Sequence, residues 1–477
     1  MLASEIARQR ELVVSGWSER DLNGTSSGAH ALVEIVTSFE RTSMKDWRWT
    51  IARLAGAERW ARGYVALLRR GLDAGRIVPE AAVRSAIASV DAMLDVRDPK
   101  NPFRELAREM DTKLARKPQL RALRRDLDRA IVDAVVPALR VLRRFLEKTY
   151  LPRATQRLDD AAYRHYLDAH LGPGHPSPEA LRAHGAREVA RLRRELRRAV
   201  HAAFGSRASL PRAMKSLARS KTMRFRDPSD LVRAATAELE RARAYAEEAM
   251  PVPDGELRVE PIPTHQEGTM LAQYLNPRDG EATLQLNTTT LLSAQRRHEL
   301  PTLVTHEVFG GHHVAALHAE AQDHLPDFRR FAVMSAFDEG WALYAEQLRD
   351  EQGGYTKLER VGYLAQQLWR AARLVVDTGL HTGAMSRAAA VRYLERIALL
   401  PRARAEAEVR RYLDCPAQAL AYYVGKERLL SLREKVKRIQ GPARFDLKRF
   451  HRKLLSLGAV PLGEAENVML AWARTQR

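Results

Sequence analysis

"THEVFGGHHVAALHAE", residues 305–320, opens with His306 and Glu307, the first two positions of the HExxH zinc-binding signature, but carries Gly310 where the second histidine belongs. In a regular HExxH helix, residues four apart lie on one face one turn apart, so two imidazoles converge on a metal while the glutamate holds water. At about 100° per residue, His312 falls far around the helix from His306, and His313 returns to the same face about 10 Å further along. Neither converges from a regular helix. Two adjacent glycines cost a helix about 1 kcal/mol each against alanine, and they best adopt a break or bulge. The spacing predicts a distortion at Gly310 and Gly311 that swings His312 back beside His306, with His313 as the alternative. The competing reading is a glycine-ended helix followed by a second helix with surface histidines. His298 and Glu299 are a decoy, because Pro301 follows and Thr302 occupies the fourth position.

A third ligand must come from elsewhere. The stretch "MSAFDEGWALYAEQLRDE" has helical apolar spacing and offers Glu339 and, two turns on, Glu346 near the same face. A single helical glutamate is usually solvated. Glu339, however, follows Phe337 and precedes Gly340-Trp341-Ala342-Leu343, an apolar setting in which an acid needs a partner. A further helix, "QLWRAARLVVDTGLHTGAMSRAAAVRYL", sets Arg373, Asp377 and His381 at steps of four. Either the acid fixes the histidine tautomer and the arginine holds the acid, or the three form an ordinary charge ladder. In "DCPAQALAYYVGKERL", one of Tyr422 and Tyr423 belongs to the core and the other faces a cleft.

The remainder of the chain bounds these readings. Its 477 residues suffice for two or three domains. Residues 1–250 read as successive helices, with "AAVRSAIASVDAMLDV" and "LDRAIVDAVVPALRVLRRFLEKTYL" repeating apolar residues at three and four, and Pro152, Pro173, Pro176 and Pro178 marking breaks. Ser177, Pro178 and Glu179 form a helix start. Residues 251–290 hold the one β signal: Thr269 to Leu275 and Ala282 to Asn287 flank "NPRDGE" and predict a hairpin. Residues 291–477 are expected to form a helical zinc-binding catalytic region.

The net charge of +20 invites a nucleic-acid partner. In "AREVARLRRELRRAV", however, Arg187, Arg191, Arg194 and Arg198 recur opposite Val189, Leu192, Leu196 and Val200, the pattern of an amphipathic helix with a solvated basic face. No RNA- or DNA-binding motif accompanies it, and no nucleic-acid partner is expected. Cys415 is the single cysteine, so intrachain disulfides and multi-cysteine metal sites are excluded. Any metal must use histidine and carboxylate. Glu5, Arg8, Arg10 and Glu11 interrupt any export signal, and no apolar run approaches the roughly 20 residues that span a bilayer. The expectation is a cytoplasmic protein with no membrane partner.

The four segments, in order, resemble a bacterial family catalogued as a domain of unknown function, with the signature HExxPGHH, EGWALYxE, RLVxDxGxH and PxQAxxY. The chain looks like a relative of the gluzincin metallopeptidases, among them thimet oligopeptidase and angiotensin-converting enzyme. The resemblance spans about residues 260–435. It implies a mainly α, two-lobed helical clamshell with a small β-hairpin at a deep zinc cleft. It also implies His306, His312 and Glu339 as Zn2+ ligands, Glu307 as base and Tyr422 as oxyanion donor, with His381 assisted by Asp377 and Arg373. The hairpin would hold an extended substrate backbone by strand addition. The sequence departs from the pattern at Gly310, where the family has proline, and at Ala384, where it commonly has tryptophan.

The resulting expectation is a zinc-dependent hydrolase of peptide or other amide bonds. Its alternatives are a metal-dependent tailoring enzyme of small-molecule metabolism and a non-catalytic basic helical binding protein.

Overall fold

Apolar residues at steps of three and four give this chain its helices, and the order in which those helices pack decides where the motif-bearing segments meet. A computed structural model describes residues 14, 16–23, 28–37, 41–98, 101–114, 118, 120–262, 270–275 and 281–476. The described residues are mainly helical, with one three-stranded sheet. None of their helices is long and apolar enough to cross a membrane. The N-terminal stretch read for export lies outside the described residues.

The chain divides into two compact units: Met1–Asp159 with Leu413–Cys415, and Asp160–Tyr412 with Pro416–Arg477. Unit 1 is a helical bundle around Trp47, Leu68, Phe103, Leu139 and Tyr150. Its segment from Leu120 to Tyr150 is helical throughout but widens at Leu146–Tyr150 and, earlier, at Ile131–Val135. That loosened turn stands just before Pro137, whose ring would otherwise press on the carbonyl four residues back.

Unit 2 contains α1 (Pro178–Phe204), α2 (Pro228–Ala249), α3 (Leu300–Glu307), α4 (His312–Glu320), α5 (Ser335–Glu351), α6 (Lys357–His381), α7 (Arg402–Asp414, all but its last two residues) and α8 (Ala421–Gln440). The boundary at residue 250 expected from composition therefore falls inside this unit. The physical reason is packing: α1 runs along α6, and α2 packs on α3, so helices from the N-terminal half complete the core around the metal-signature segment. Ser177 caps α1 by accepting the Ala180 N–H, with Pro178 in the first turn. Val189, Leu192, Leu196 and Val200 are buried. The opposite face is less purely solvated than expected, because Arg191 pairs with Glu188 and Glu195.

The sheet has strands β1 (Glu256–Pro261), β2 (Ala272–Leu275) and β3 (Glu281–Leu286) in the order β1-β3-β2. β2 and β3 form the expected antiparallel pair, with Leu275 opposite Thr283. Thr269 and residues 276–280 of the predicted turn lie outside the described residues. β1, parallel to β3, was not predicted: its "ELRVEP" alternates charged with apolar residues too briefly, and follows prolines that read as loop. β2 is left as an edge strand.

The contact that aligns the site helices is a crossing of α5 over α8. A Cβ on Gly340 would lie 2.5 Å from the Gly425 Cα, and one on Gly425 would lie 2.0 Å from the Ala336 carbonyl oxygen. Only glycines allow this approach, which brings Glu339 on one helix beside Tyr422 on the other. Gly425→Ala should therefore cost about 2 kcal/mol, as overpacking of rigid backbone does. Thermal unfolding followed by circular dichroism checks this, and an unchanged midpoint would contradict the crossing.

Candidate metal centre

α3 stops at Glu307, and Val308 to Gly311 leave the helical path before α4 begins at His312. Gly310 has φ of 103°, which proline's ring forbids and other side chains resist. A Cβ on Gly311 would stand 1.8 Å from the His306 carbonyl oxygen. The glycines thus make a complete break rather than a bulge within one helix. The break-and-new-helix form belonged to the competing reading, yet the consequence is the one predicted from spacing: His312 returns beside His306, with ring centres 5.0 Å apart at 86°.

Glu339 closes the triangle. Its Oε2 lies 3.4 Å from His306 Nε2 and 3.5 Å from His312 Nε2. Among the described residues, these three side chains form a group able to hold a metal ion, with one ligand atom from each within 4.8 Å of the others. The Glu339 Oε2 is buried, and among the described residues no donor meets it in good hydrogen-bond geometry; its neighbours are the two imidazoles, at the long distances just given. A buried carboxylate oxygen facing two imidazole nitrogens is suited to a divalent cation, and the two-histidine, one-glutamate set suits zinc.

The other side of His306 is anchored in the core. Its Nδ1 is 2.9 Å from Glu346 Oε1, and Glu346 is fully buried. Gln367 Nε2 donates to Glu346 Oε2 at 3.0 Å, and Lys426 Nζ donates to Gln367 Oε1 at 2.9 Å. Burial favours a neutral imidazole, but Glu339 and Glu346 oppose it and hold the His306 pKa at about 9. Burial likewise raises Glu339, and the two histidines outweigh it, keeping this carboxyl well below its ordinary range. A metal ion at this cluster would take the place of those protons.

The remaining predicted residues separate. Glu307 lines a cavity of about 590 Å³ together with His306, His312, Glu339 and Tyr422. Tyr422 lies parallel to the His306 ring, 6.0 Å between centres, and its hydroxyl accepts from Arg411 Nη2 at 3.2 Å. Tyr423 turns away and donates to Glu188 Oε2 at 2.7 Å. His313 does not join the cluster. Its Nδ1 is 3.0 Å from the Tyr274 hydroxyl, which ties α4 to β2, and its ring packs edge-on to Phe309.

His381 and Asp377 also require correction. His381 Nε2 faces the Tyr412 carbonyl at 3.0 Å, and its ring stacks on Tyr163, so it does not present that N–H to the cavity. Burial lowers its pKa to about 4. The Asp377 carboxylate accepts from the Tyr163 hydroxyl at 2.7 Å and from the Ala417 N–H, where it ties α6 to the turn before α8. Steps of four placed these groups on one helix side without showing that this side faces the core. Arg373 alone of that ladder lines the cavity.

Residues 1–469 match the family described as "Bacterial protein of unknown function (DUF885)". The chain belongs to this family. Its fold is similar to a crystal structure of a candidate lipoprotein from Colwellia psychrerythraea, 24% identical, covering 96% of this chain and 81% of that one, with a TM-score of 0.89. It is also similar to a candidate lipoprotein of unknown function from Shewanella oneidensis, 17% identical, covering 96% and 84%, with a TM-score of 0.71. At these identities the likenesses speak to the fold alone. No curated protein matches the chain.

For this family member, the Glu346 contact gives a direct prediction. If the cluster holds zinc, Glu346→Gln should bind the same amount of it but with about ten- to a hundred-fold lower affinity, the usual cost of losing a carboxylate behind a ligating histidine. Gly311→Ala should weaken zinc at least as much by displacing His306. Competition with a chelator of known affinity measures both, and parental affinities would remove the role given to these residues.

Proposed function

We propose that this protein is a zinc-dependent amide hydrolase of gluzincin type, with His306, His312 and Glu339 as the metal ligands. The observation that carries this reading is the three-residue cluster opening onto a cavity also lined by Glu307 and Tyr422. Glu307 follows His306 directly, so its place at the end of α3 comes with the ligand. Zinc held there supplies Lewis acidity to a substrate carbonyl and acidifies water.

The chain's own groups divide the rest of the work. Glu307 takes the proton from the attacking water and delivers it to the nitrogen of the leaving amine, which lets that bond break without expelling an amide anion. Tyr422 is the donor to the oxygen of the attacked carbonyl, where negative charge grows in the transition state. Arg411 donates to the Tyr422 oxygen, so the phenolic O–H, which addresses Glu339 in this structure, would be the group to turn to the substrate oxygen once Glu339 is engaged by a metal. Leu271, Ala272, Gln273 and Tyr274 line the same cavity, and the open edge of β2 offers backbone groups to an extended substrate. Helix α5 supports the chemistry from behind: Glu346 orients the His306 ring through Nδ1, so Nε2 points into the cavity.

Glu307→Gln should keep zinc and lose turnover, since the amide cannot accept the proton. Purified variants assayed on a peptide and acyl-amide library, with metal content measured in parallel, check this. Near-parental turnover would exclude Glu307 as the base. Tyr422→Phe should lower kcat about a hundredfold with little change in KM. Tyr423→Phe should keep kcat and lose about 1 kcal/mol of stability with its bond to Glu188. Equal rates for the parent and Tyr422→Phe would assign the oxyanion donor elsewhere.

A further inference from the structure

The cavity wall beside Tyr422 is built from two arginine-bearing faces. On α6, Gln366, Arg370 and Arg373 follow at steps of four and three. On α7, Arg404, Glu408 and Arg411 do the same, and all six line the cavity. Trp369 and Tyr422 organise these cations. The guanidinium carbons of Arg370, Arg373 and Arg404 lie 4.5, 4.2 and 4.4 Å from the Trp369 ring centre, and that of Arg373 is also 4.4 Å from the Tyr422 ring centre. Stacking occupies the flat faces of a guanidinium and leaves its N–H edges to find acceptors.

Those acceptors are scarce. Among the described residues, Glu408 is the carboxylate within 4 Å of these guanidiniums, 3.5 Å from Arg373 and 3.8 Å from Arg411, while Asp377 acts on both through its charge alone. Gln366 accepts from Arg370, and Gln418 accepts from Arg411. Glu346 acts on Arg370 through its charge but is bonded to His306 and Gln367. Arg370 and Arg373 are 8% and 1% exposed, and Arg370 Nε, Arg373 Nε and Arg373 Nη1 have no hydrogen-bond partner among the described residues. Burying cations with unpartnered donors carries a desolvation cost, and a carboxylate entering the cavity that these arginines line would offset it through its charge and through two oxygens matched to a guanidinium edge that the cavity exposes. Tyr422 sets the distance, because its ring lies against His306 and also beneath Arg373.

We propose that Arg370, Arg373, Arg404 and Arg411 form a carboxylate subsite beside the metal centre, so that the substrate is an amide bearing a carboxylate close to the bond that is cut. This rests on the amide-hydrolase reading for its consequence, but the subsite itself is independent of metal. The carboxylate is either the free α-carboxylate of an acylated amino acid or short peptide, or an acidic side chain next to the reacting amide.

The test uses the full chain stripped of metal by chelator, so anions cannot bind through zinc. Calorimetry compares hippurate, which has a free α-carboxylate, hippuramide, which has none, and the α-amide of N-benzoylaspartate, whose carboxylate is on the side chain. At least one of the two acids should bind about ten-fold or more tightly than hippuramide, and the tighter acid identifies the source. Arg404→Gln, at a half-buried position that tolerates change, should remove about ten-fold of that preference, and Arg373→Gln at least as much. Equal binding of acids and amide, no binding of either acid, or undiminished preference in both variants would overturn the proposal. Loss of zinc or of turnover in other experiments leaves this outcome untouched, so the two readings fail separately.

Discussion

Glu346 reaches His306 Nδ1 from inside the protein while Glu339 faces Nε2 from the cavity, and the two acids sit two turns apart on one helix. One imidazole is thereby clamped along its length by a single rigid element. A fully buried carboxylate such as Glu346 is tolerable only while paired, since removing a partner of such a pair typically costs about 3–5 kcal/mol. Its second oxygen therefore engages Gln367, and Gln367 engages Lys426, whose pKa burial lowers to about 8. Three helices, α5, α6 and α8, are committed to the orientation of one histidine ring. For the proposed ligand His306, this is the preorganisation that a metal site requires.

The glycine positions serve the same end. Gly311 lets the chain turn sharply enough for His312 to meet His306, and the Gly340–Gly425 approach lets α5 and α8 close until Glu339 and Tyr422 address the same space. Each is a place where a methyl group would meet backbone, so the constraint is steric and not a matter of flexibility. The largely helical neighbourhood supplies stiffness, and these few residues supply proximity.

How much of this was legible in the sequence depended on range. The return of His312 beside His306 was legible from the glycine pair because the residues concerned lie within seven positions of one another. Glu339 was accessible because an acid stood in an apolar helix with no local partner. The hairpin strands were visible from alternation and turn residues, while β1 needed β3 to be recognised at all. His381 and Asp377 were misjudged because a helix of period 3.6 shows which residues share a face but not what that face meets; α6 is buried on nearly every side. The arginines at 370, 404 and 411 were hidden in a chain with so many basic residues that clustering became apparent only when α6 and α7 were seen to line one cavity. The division at residue 159 was also beyond local pattern, since it depends on which helices α1 and α2 pack against.

The central claim is that one metal ion is held by residues from α3, α4 and α5. Crystals of the zinc-loaded protein, with diffraction recorded on both sides of the zinc absorption edge, test it most directly. The account predicts one anomalous peak per chain, bonded to His306 Nε2, His312 Nε2 and Glu339. A peak bonded to His313 in place of His312, or no peak at this cluster in crystals that hold zinc elsewhere, would contradict it.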